Sequence, residues 1–279
     1  YRSPQTVGKS TSEYRLGIFL HDEHMFADCL LLTGGLRFDY NTKTGNALSP
    51  QLAVVYNPAG THYLRLSGGT AFRKPTLIES STNFLIDADP AFPEVDVLFE
   101  DMGISNPDLD NELLSTVELG YSGSFFEEDL DISANVYFAS TWDLIELAVD
   151  FEFKPPWYLQ IDLQNSELGY YNASVPNHIL GVNLSAEAQP LDWLSLYLRC
   201  EYRREWFARD SGWDLYRSQL QATGGAVVRL ECGLLFHLGV VYTGAFERDV
   251  VRNPRSVLAP GYLADIPART YLLARLGYD

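Results

Sequence analysis

The run His21-Asp22-Glu23-His24 places four metal-ligating residue types side by side. Consecutive residues of an extended segment point to opposite faces, so the four cannot easily converge on one ion. The run reads instead as an interfacial turn at a strand end, with no metal site. Cys29, Cys200 and Cys232 are far apart and lack the Cys-x-x-Cys spacing of a zinc or redox pair. An odd count also leaves at least one thiol unpaired. His62, His178 and His237 stand alone. No Gly-x-Ser-x-Gly elbow, His-Glu-x-x-His or phosphate-binding loop occurs. The residues therefore offer no catalytic apparatus and no cofactor site, and the chain reads as a non-enzyme.

Two other groups of residues could bind. Arg37, Arg65, Glu118, Asp131, Arg199, Glu201, Arg229 and Arg275 are charges set inside otherwise apolar runs, able to pair or hydrogen-bond in a wet interior. Trp142, Trp157, Tyr158, Tyr170 and Tyr171 offer flat aromatic area for a ligand, though loop packing is the simpler use of each. The formal net charge is −17. Nucleic acid is attracted by basic patches, so this balance argues against it as a partner. The acids gather in two stretches, Asp87, Asp89, Glu94, Asp96, Glu100, Asp101, Asp108, Asp110 and Glu112, then Asp143, Glu146, Asp150, Glu152 and Asp162. They read as solvated loops. Divalent-cation bridging to lipopolysaccharide is the sharper alternative, and no EF-hand spacing supports a dedicated calcium site.

The elements that carry these residues are strands. Leu30, Leu32, Gly34, Leu36, Phe38 and Tyr40 alternate with Leu31, Thr33, Gly35, Arg37 and Asp39. The same period of two returns at 48–56, 64–72, 117–125, 130–138, 180–188, 194–202, 220–228, 234–242 and 272–278, and Tyr14, Leu16, Ile18 and Leu20 open the series. Period two means one apolar and one polar face. Runs of roughly ten residues exceed the usual five or six and match a strand tilted across a bilayer. The pattern predicts about eleven transmembrane strands.

The mid-strand charges decide between a barrel and a soluble sandwich, because all of them fall on the polar parity. A lipid-facing Arg at the midplane would cost roughly 2–4 kcal/mol, whereas in a water-filled lumen it costs little. Tyr40, Tyr56, Phe72, Tyr121, Phe125, Phe138, Tyr202, Tyr242 and Tyr278 lie near strand ends on the apolar parity, where aromatic girdles belong. Short linkers at 24–28, 58–61, 127–129, 190–193 and 230–231 alternate with longer ones at 73–113, 143–173, 207–215 and 246–268. Outer-membrane barrels keep short turns in the periplasm and long loops outside, so the long set is expected outside the cell. Residues 41–46 form the one brief outer connection. The expected class is all-β: a transmembrane antiparallel up-and-down β-barrel, occupying residues 1–279 as one partial domain. The chain opens without Met and shows no export signal, and an odd number of strands does not close a single-chain bacterial barrel. A fragment of a larger barrel is the expectation.

Several segments resemble the barrel of TonB-dependent outer-membrane receptors. They are Leu32-Thr-Gly-Gly-Leu-Arg37-Phe-Asp-Tyr40, Ala47-Leu-Ser-Pro50-Gln-Leu-Ala-Val-Val-Tyr56 and Leu64-Arg-Leu-Ser-Gly-Gly-Thr-Ala-Phe72-Arg73-Lys-Pro75-Thr76-Leu77. Asn106-Pro107-Asp108-Leu109 with Glu112, leading into Val117-Glu118-Leu119-Gly120-Tyr121, is similar to that family's asparagine–proline–leucine–glutamate signature, with Asp110-Asn111 where lysine–proline is commoner. Pro75 and Asn106-Pro107 stop and restart strand pairing, Arg73 and Lys74 are expected to meet lipid phosphates, and glycines 34, 35, 68 and 69 allow close packing or curvature. The resemblance implies a 22-stranded barrel occluded by an N-terminal plug, of which about 11 strands are expected here and the plug is not. It also implies active import of a scarce substrate such as an iron–siderophore complex, haem, cobalamin or a glycan, driven by an inner-membrane TonB complex. Arg37, Arg65, Glu118, Arg199, Glu201, Arg229 and Arg275 would then face the plug. Outer-membrane lipid and lipopolysaccharide would surround the wall in a Gram-negative cell. A passive porin and a structural or adhesion barrel remain the alternatives.

Overall fold

The computed structural model describes residues 5–7, 12–81, 83–85, 105–150, 167–207, 219–249 and 263–278. In chain order the strands are β1 (Gln5–Val7), β2 (Arg15–Phe26), β3 (Leu30–Asn41), β4 (Gly45–Tyr56), β5 (His62–Arg73), β6 (Asn83–Leu85), β7 (Glu112–Phe125), β8 (Leu130–Trp142) and β9 (Ile145–Asp150). They continue as β10 (Glu167–Asn172), β11 (Asn177–Leu191), β12 (Leu194–Phe207), β13 (Leu220–Arg229), β14 (Leu234–Thr243), β15 (Phe246–Asp249), β16 (Leu263–Ile266) and β17 (Arg269–Tyr278). One short helix, α1 (Leu77–Ser81), follows β5.

Eleven long strands form one antiparallel sheet in the order β17-β14-β13-β12-β11-β8-β7-β5-β4-β3-β2. Each long strand pairs with its neighbours in the chain, which is the up-and-down wall expected from the alternation. No helix of the described residues is long and apolar enough to cross a membrane. Register holds the parity across the whole sheet. Arg37 pairs with Ser49, Glu118 with Ser67 and Tyr137, Asn183 with Glu201, Glu201 with Gln221, and His237 with Arg275. On the opposite face Leu32 meets Val54, Leu66 meets Leu119, Val136 meets Val182, and Val240 meets Leu272. A slip of one residue within a strand would mix the two faces; the one shift among the described residues, a bulge between Ala188 and Leu191 where β11 meets β12, falls at the tight-turn end beyond the charged positions.

The apolar face is bare. Leu20, Leu52, Leu66, Leu119, Leu238 and Leu272 are all exposed, Leu272 by 80%. Among the described residues the buried apolar side chains are only Leu109, Ala139 and Ala173. A sheet with this little interior cannot be held together by a core of its own; its solvent is hydrocarbon, which satisfies apolar side chains while the ladders satisfy the backbone.

Tight connections at 27–29, 57–61, 126–129, 192–193 and 230–233 share one end of the wall. Left-handed backbone makes them compact, at Ala27 and Asp28, at Phe126, Glu127 and Glu128, and at Gly60 and Gly233. Three details depart from the sequence reading. Residues 21–24 lie inside β2 and not in a turn, because pairing with β3 continues to Phe26–Leu30. The long outer connections carry structure of their own: β9 pairs with β10, β15 with β16, and β6 with β1, which precedes the wall. Of the glycines expected to permit close packing, Gly69 does so, since an added Cβ would lie 2.9 Å from the Pro50 carbonyl oxygen, whereas Gly34 has open space beside it. Pro50 has no N–H to donate, and β4 pairs with β5 only from Gln51 onward.

Candidate functional site: the inner face and the outer rim

The polar face of the wall lines a trough of 680 Å³ spanning β4 to β13, with Arg65, Glu118, Asn135, Asn183, Arg199 and Glu201 on its surface. The seven charges expected to face the lumen, Arg37, Arg65, Glu118, Arg199, Glu201, Arg229 and Arg275, all lie on this one face by register. Two of them are already engaged. Arg37 grips Asp39 through two hydrogen bonds of 2.6 and 2.9 Å, a fork that fits a carboxylate. Arg199 donates to Glu187 at 2.8 Å, but both side chains are more than half exposed, so that pair contributes little. Arg65, Glu118, Glu201, Arg229 and Arg275 make no ion pair with any described residue. The Asn135 side-chain oxygen Oδ1 is buried and also without a partner.

Two tyrosines are laid flat against this face by glycines on the adjacent strand. An added Cβ at Gly181 would come within 2.1 Å of the Tyr137 ring. Tyr197 lies against Gly225 in the same way, and its hydroxyl meets His237 Nε2 at 2.8 Å. The glycines remove the side chains that would otherwise hold these rings away from the wall.

At the end with the longer connections, the residues singled out by family resemblance converge. Arg73 closes β5 and Glu112 opens the paired strand β7. The Arg73 guanidinium donates to Glu112 at 2.5 and 2.6 Å, and to both carboxylate oxygens of Glu79 at 3.1 Å. Arg73 is thus bound between two carboxylates and does not reach out to lipid phosphate. Lys74 lies over the Phe72 ring at 5.8 Å. Glu112 is buried and also accepts the Ile145 amide at 2.8 Å, which fixes the root of the β9–β10 hairpin.

Glu79 belongs to α1. Thr76 caps that helix: its hydroxyl accepts the Glu79 amide at 3.3 Å, and Glu79 accepts the Thr76 amide at 2.6 Å, a reciprocal capping box. Burial pushes the Glu79 carboxyl up, but the Thr76 amide and the Arg73 guanidinium more than offset this and hold it below the ordinary carboxylate range. Asn106 donates its side-chain amide to the Tyr170 carbonyl at 3.0 Å, and its backbone amide to the Glu79 carbonyl at 2.7 Å. Its side-chain oxygen accepts the Asp108 amide at 2.9 Å, the turn expected of Asn106-Pro107. Leu109 is buried, and Asn172 ties the node to both Asp110 and the Asp143 carbonyl. At the neighbouring turn, fully buried Asn41 donates to Glu13 and accepts the Lys43 amide at 2.8 Å. Arg15 holds the Glu13 carboxyl below its usual range. Arg73, Asn106, Leu109 and Glu112 are therefore one scaffold. Pro75 sits in the unpaired link to α1. Glu118 lies apart, six residues down β7 in the trough.

The aromatic candidates separate. Trp142 pairs with Leu113 and so shares the lipid-side parity. Tyr170 and Tyr171 are half-buried in β10, where the Tyr171 hydroxyl donates to Glu146 at 2.7 Å. Trp157 and Tyr158 lie outside the described residues. Glu79 and Asn172 escaped the sequence reading. The Thr76-x-x-Glu79 pattern of a capping box was visible for the first, and nothing in one sequence marks the second.

Residues 1–278 match the family described as TonB dependent receptor-like, beta-barrel. The vitamin B12 transporter BtuB of Vibrio vulnificus (strain CMCP6) is 25% identical over 166 residues, 58% of this chain and 23% of that protein. Among solved structures, the ferric enterobactin receptor PfeA of Pseudomonas aeruginosa, in complex with BCV-L6, is similar at a TM-score of 0.68 and 14% identity, covering 98% of this chain and 39% of its own. The siderophore receptor PirA from Acinetobacter baumannii gives 0.68 and 13%, covering 95% and 39%. The FrpB iron transporter from Neisseria meningitidis gives 0.64 and 15%, covering 96% and 38%. At such identities the structural likeness speaks for the fold. The chain spans well under half the length of each of these relatives.

Proposed function

The chain belongs to the TonB-dependent receptor β-barrel family, and from that premise we propose that it is part of the wall of an active importer for a scarce extracellular substrate. Its place is the outer membrane of a Gram-negative cell, and members of its family are receptors and transporters. The observation that carries the reading is the set of inner-face charges left without ion-pair partners among the described residues: Arg65, Glu118, Glu201, Arg229 and Arg275. Charges in a lumen hold a removable domain through hydrogen bonds that can be exchanged for water, at little net cost for each. A plug held in this way can be released by a pull from the TonB complex, and the same residues then line the path of the substrate.

Substrate is first met at the outer rim. The Arg73–Glu79–Glu112 node fixes where the outer loops leave the wall, and Tyr170, Tyr171, Trp157 and Tyr158 are the aromatic contacts we assign to substrate. Trp142, by its parity, serves the lipid boundary in this reading. Relatives are named for vitamin B12, ferric enterobactin and iron, so metal chelates of siderophore or cobalamin type head the list, with haem and glycans behind.

The test is uptake of radiolabelled cobalamin and a panel of ferric siderophores by cells expressing the complete receptor, with and without TonB. Saturable uptake of one substrate that vanishes without TonB is expected. Non-saturable permeation indifferent to TonB would identify a porin and overturn the proposal.

A further inference from the structure

The lipid-side parity of the wall is almost free of charge. Across all eleven long strands, Asp22 in β2 and Arg204 in β12 are the only Asp, Glu, Lys or Arg residues on it among the described residues. Asp22 is near the end with tight turns. Arg204 is near the opposite, outer end, where it pairs with Leu180 and is exposed. It makes no ion pair with any described residue. An arginine buried in acyl chains would be costly, so a partner of opposite charge within reach is the physical expectation. Three residues separate Arg204 from the end of β12, roughly 10 Å of strand or about 7 Å of height at a 45° tilt. An extended guanidinium covers that distance by snorkelling to headgroup level.

Its surroundings at that level are ordered. Trp206, one pleat above Arg204, pairs with His178, and His178 pairs with Ser140. The His178 ring stacks on Phe138 with centroids 5.7 Å apart and an interplanar angle of 19°. Trp206 closes the group, 5.9 Å from His178 and 6.1 Å from Phe138. The Ser140 hydroxyl lies 2.8 Å from His178 Nδ1. In the tautomer whose Nδ1 accepts from Ser140, the ring keeps Nε2–H as a donor. Below the group, Leu180, Val182 and Tyr202 continue the apolar face.

We propose that Arg204, Trp206 and His178 form a docking site for the phosphate of an outer-leaflet lipid, which in this membrane is the lipid A moiety of lipopolysaccharide. Arg204 offers a planar fork suited to phosphate. The indole and imidazole add donors at the polar boundary, and the acyl chains lie along Leu180 and Val182. The charge is complementary and the site is on the opposite side of the wall from the lumen, so it is separate from any substrate path. The proposal rests on outer-membrane placement and not on import.

The experiment counts lipid bound to the complete purified receptor by native mass spectrometry. The probes are bisphosphorylated lipid A, its dephosphorylated form, and inorganic phosphate as competitor. The wild-type receptor and the Arg204→Leu and Arg204→Lys variants are compared, each confirmed as folded by its heat-modifiable gel mobility. Loss of a lipid-facing arginine does not threaten the fold. Arg204→Leu is expected to weaken bisphosphorylated lipid A about tenfold and leave the dephosphorylated form unchanged, with Arg204→Lys intermediate. Equal binding by all three proteins would overturn the proposal, as would full displacement by millimolar inorganic phosphate, which would mark a free-anion site. TonB-dependent uptake by Arg204→Leu is expected to match wild type, so failure here and failure of the import reading are distinguishable.

Discussion

Placing one arginine at each of two consecutive positions, Asn135 and Val136, tests the two-faced wall directly. Both sit at the centre of β8, with Val136 six residues from either end of the strand. Six residues are roughly 20 Å of strand, or about 14 Å of height at a 45° tilt, which puts Val136 at the bilayer midplane. Val136 pairs with Leu119 and Val182, so Val136→Arg places a guanidinium among lipid-side apolar residues. The cost there is about 2–4 kcal/mol, a factor of roughly 30 to 900 in the folding equilibrium. Asn135 pairs with Gly120 and Asn183 and lines the trough near Glu118 and Glu201. Asn135→Arg therefore keeps its charge in a wet, partly acidic lumen and is expected to cost about 1 kcal/mol or less. The assay is reversible guanidine unfolding of the complete receptor in lipid vesicles, followed by tryptophan fluorescence. Equal destabilisation by the two substitutions, or a larger loss from Asn135→Arg, would refute the assignment of the two faces and with it the placement of every charge on the wall.

Glu112→Ala removes two hydrogen bonds to Arg73 and one to the Ile145 amide, and is expected to cost the outer rim about 2–3 kcal/mol, read as faster proteolysis of the outer loops on whole cells. Thr76→Ala deletes one half of the capping box and should weaken α1 by about 1 kcal/mol, seen as several-fold faster amide exchange over residues 77–81. Gly181→Val drives a side chain into the space of the Tyr137 ring and is expected to cost about 1–3 kcal/mol, with Tyr137→Ala restoring much of it in a double-mutant cycle. Because the Glu79 carboxyl is held below its ordinary value of 4.5, its contribution to the rim is complete above that pH and lost as pH falls through the depressed value. Proteolysis of the rim should accordingly rise below pH 4.5 in wild type, and that part of the rise should be missing in Glu79→Gln.

How much of this was legible in the chain follows from the range of the interactions. The parity of Arg37, Arg65, Glu118, Arg199, Glu201, Arg229 and Arg275 needed only their immediate neighbours, since a strand's faces repeat every two residues and a bilayer permits charge on one of them alone. Strand number and direction followed from the same local signal and from the spacing of the tight turns. The rim was not legible in that way. Resemblance to a family drew attention to Arg73, Asn106 and Glu112, but not to their joining. Arg73 meets Glu112 across 39 residues, Asn106 meets Tyr170 across 64, and Asn111 meets the Thr44 carbonyl across 67. Whether those pairs touch depends on which strands are neighbours and how the outer connections fold back. The expectation that Arg73 meets lipid failed for that reason; Trp142, offered as flat area for a ligand, falls on the lipid-side parity, where one residue of register decides the face. Composition and alternation determine a membrane wall and its two surfaces, because those are properties of each segment alone; the clamp at the rim, the tyrosines lying on glycines and the aromatic group beside Arg204 exist only once separate strands are laid side by side.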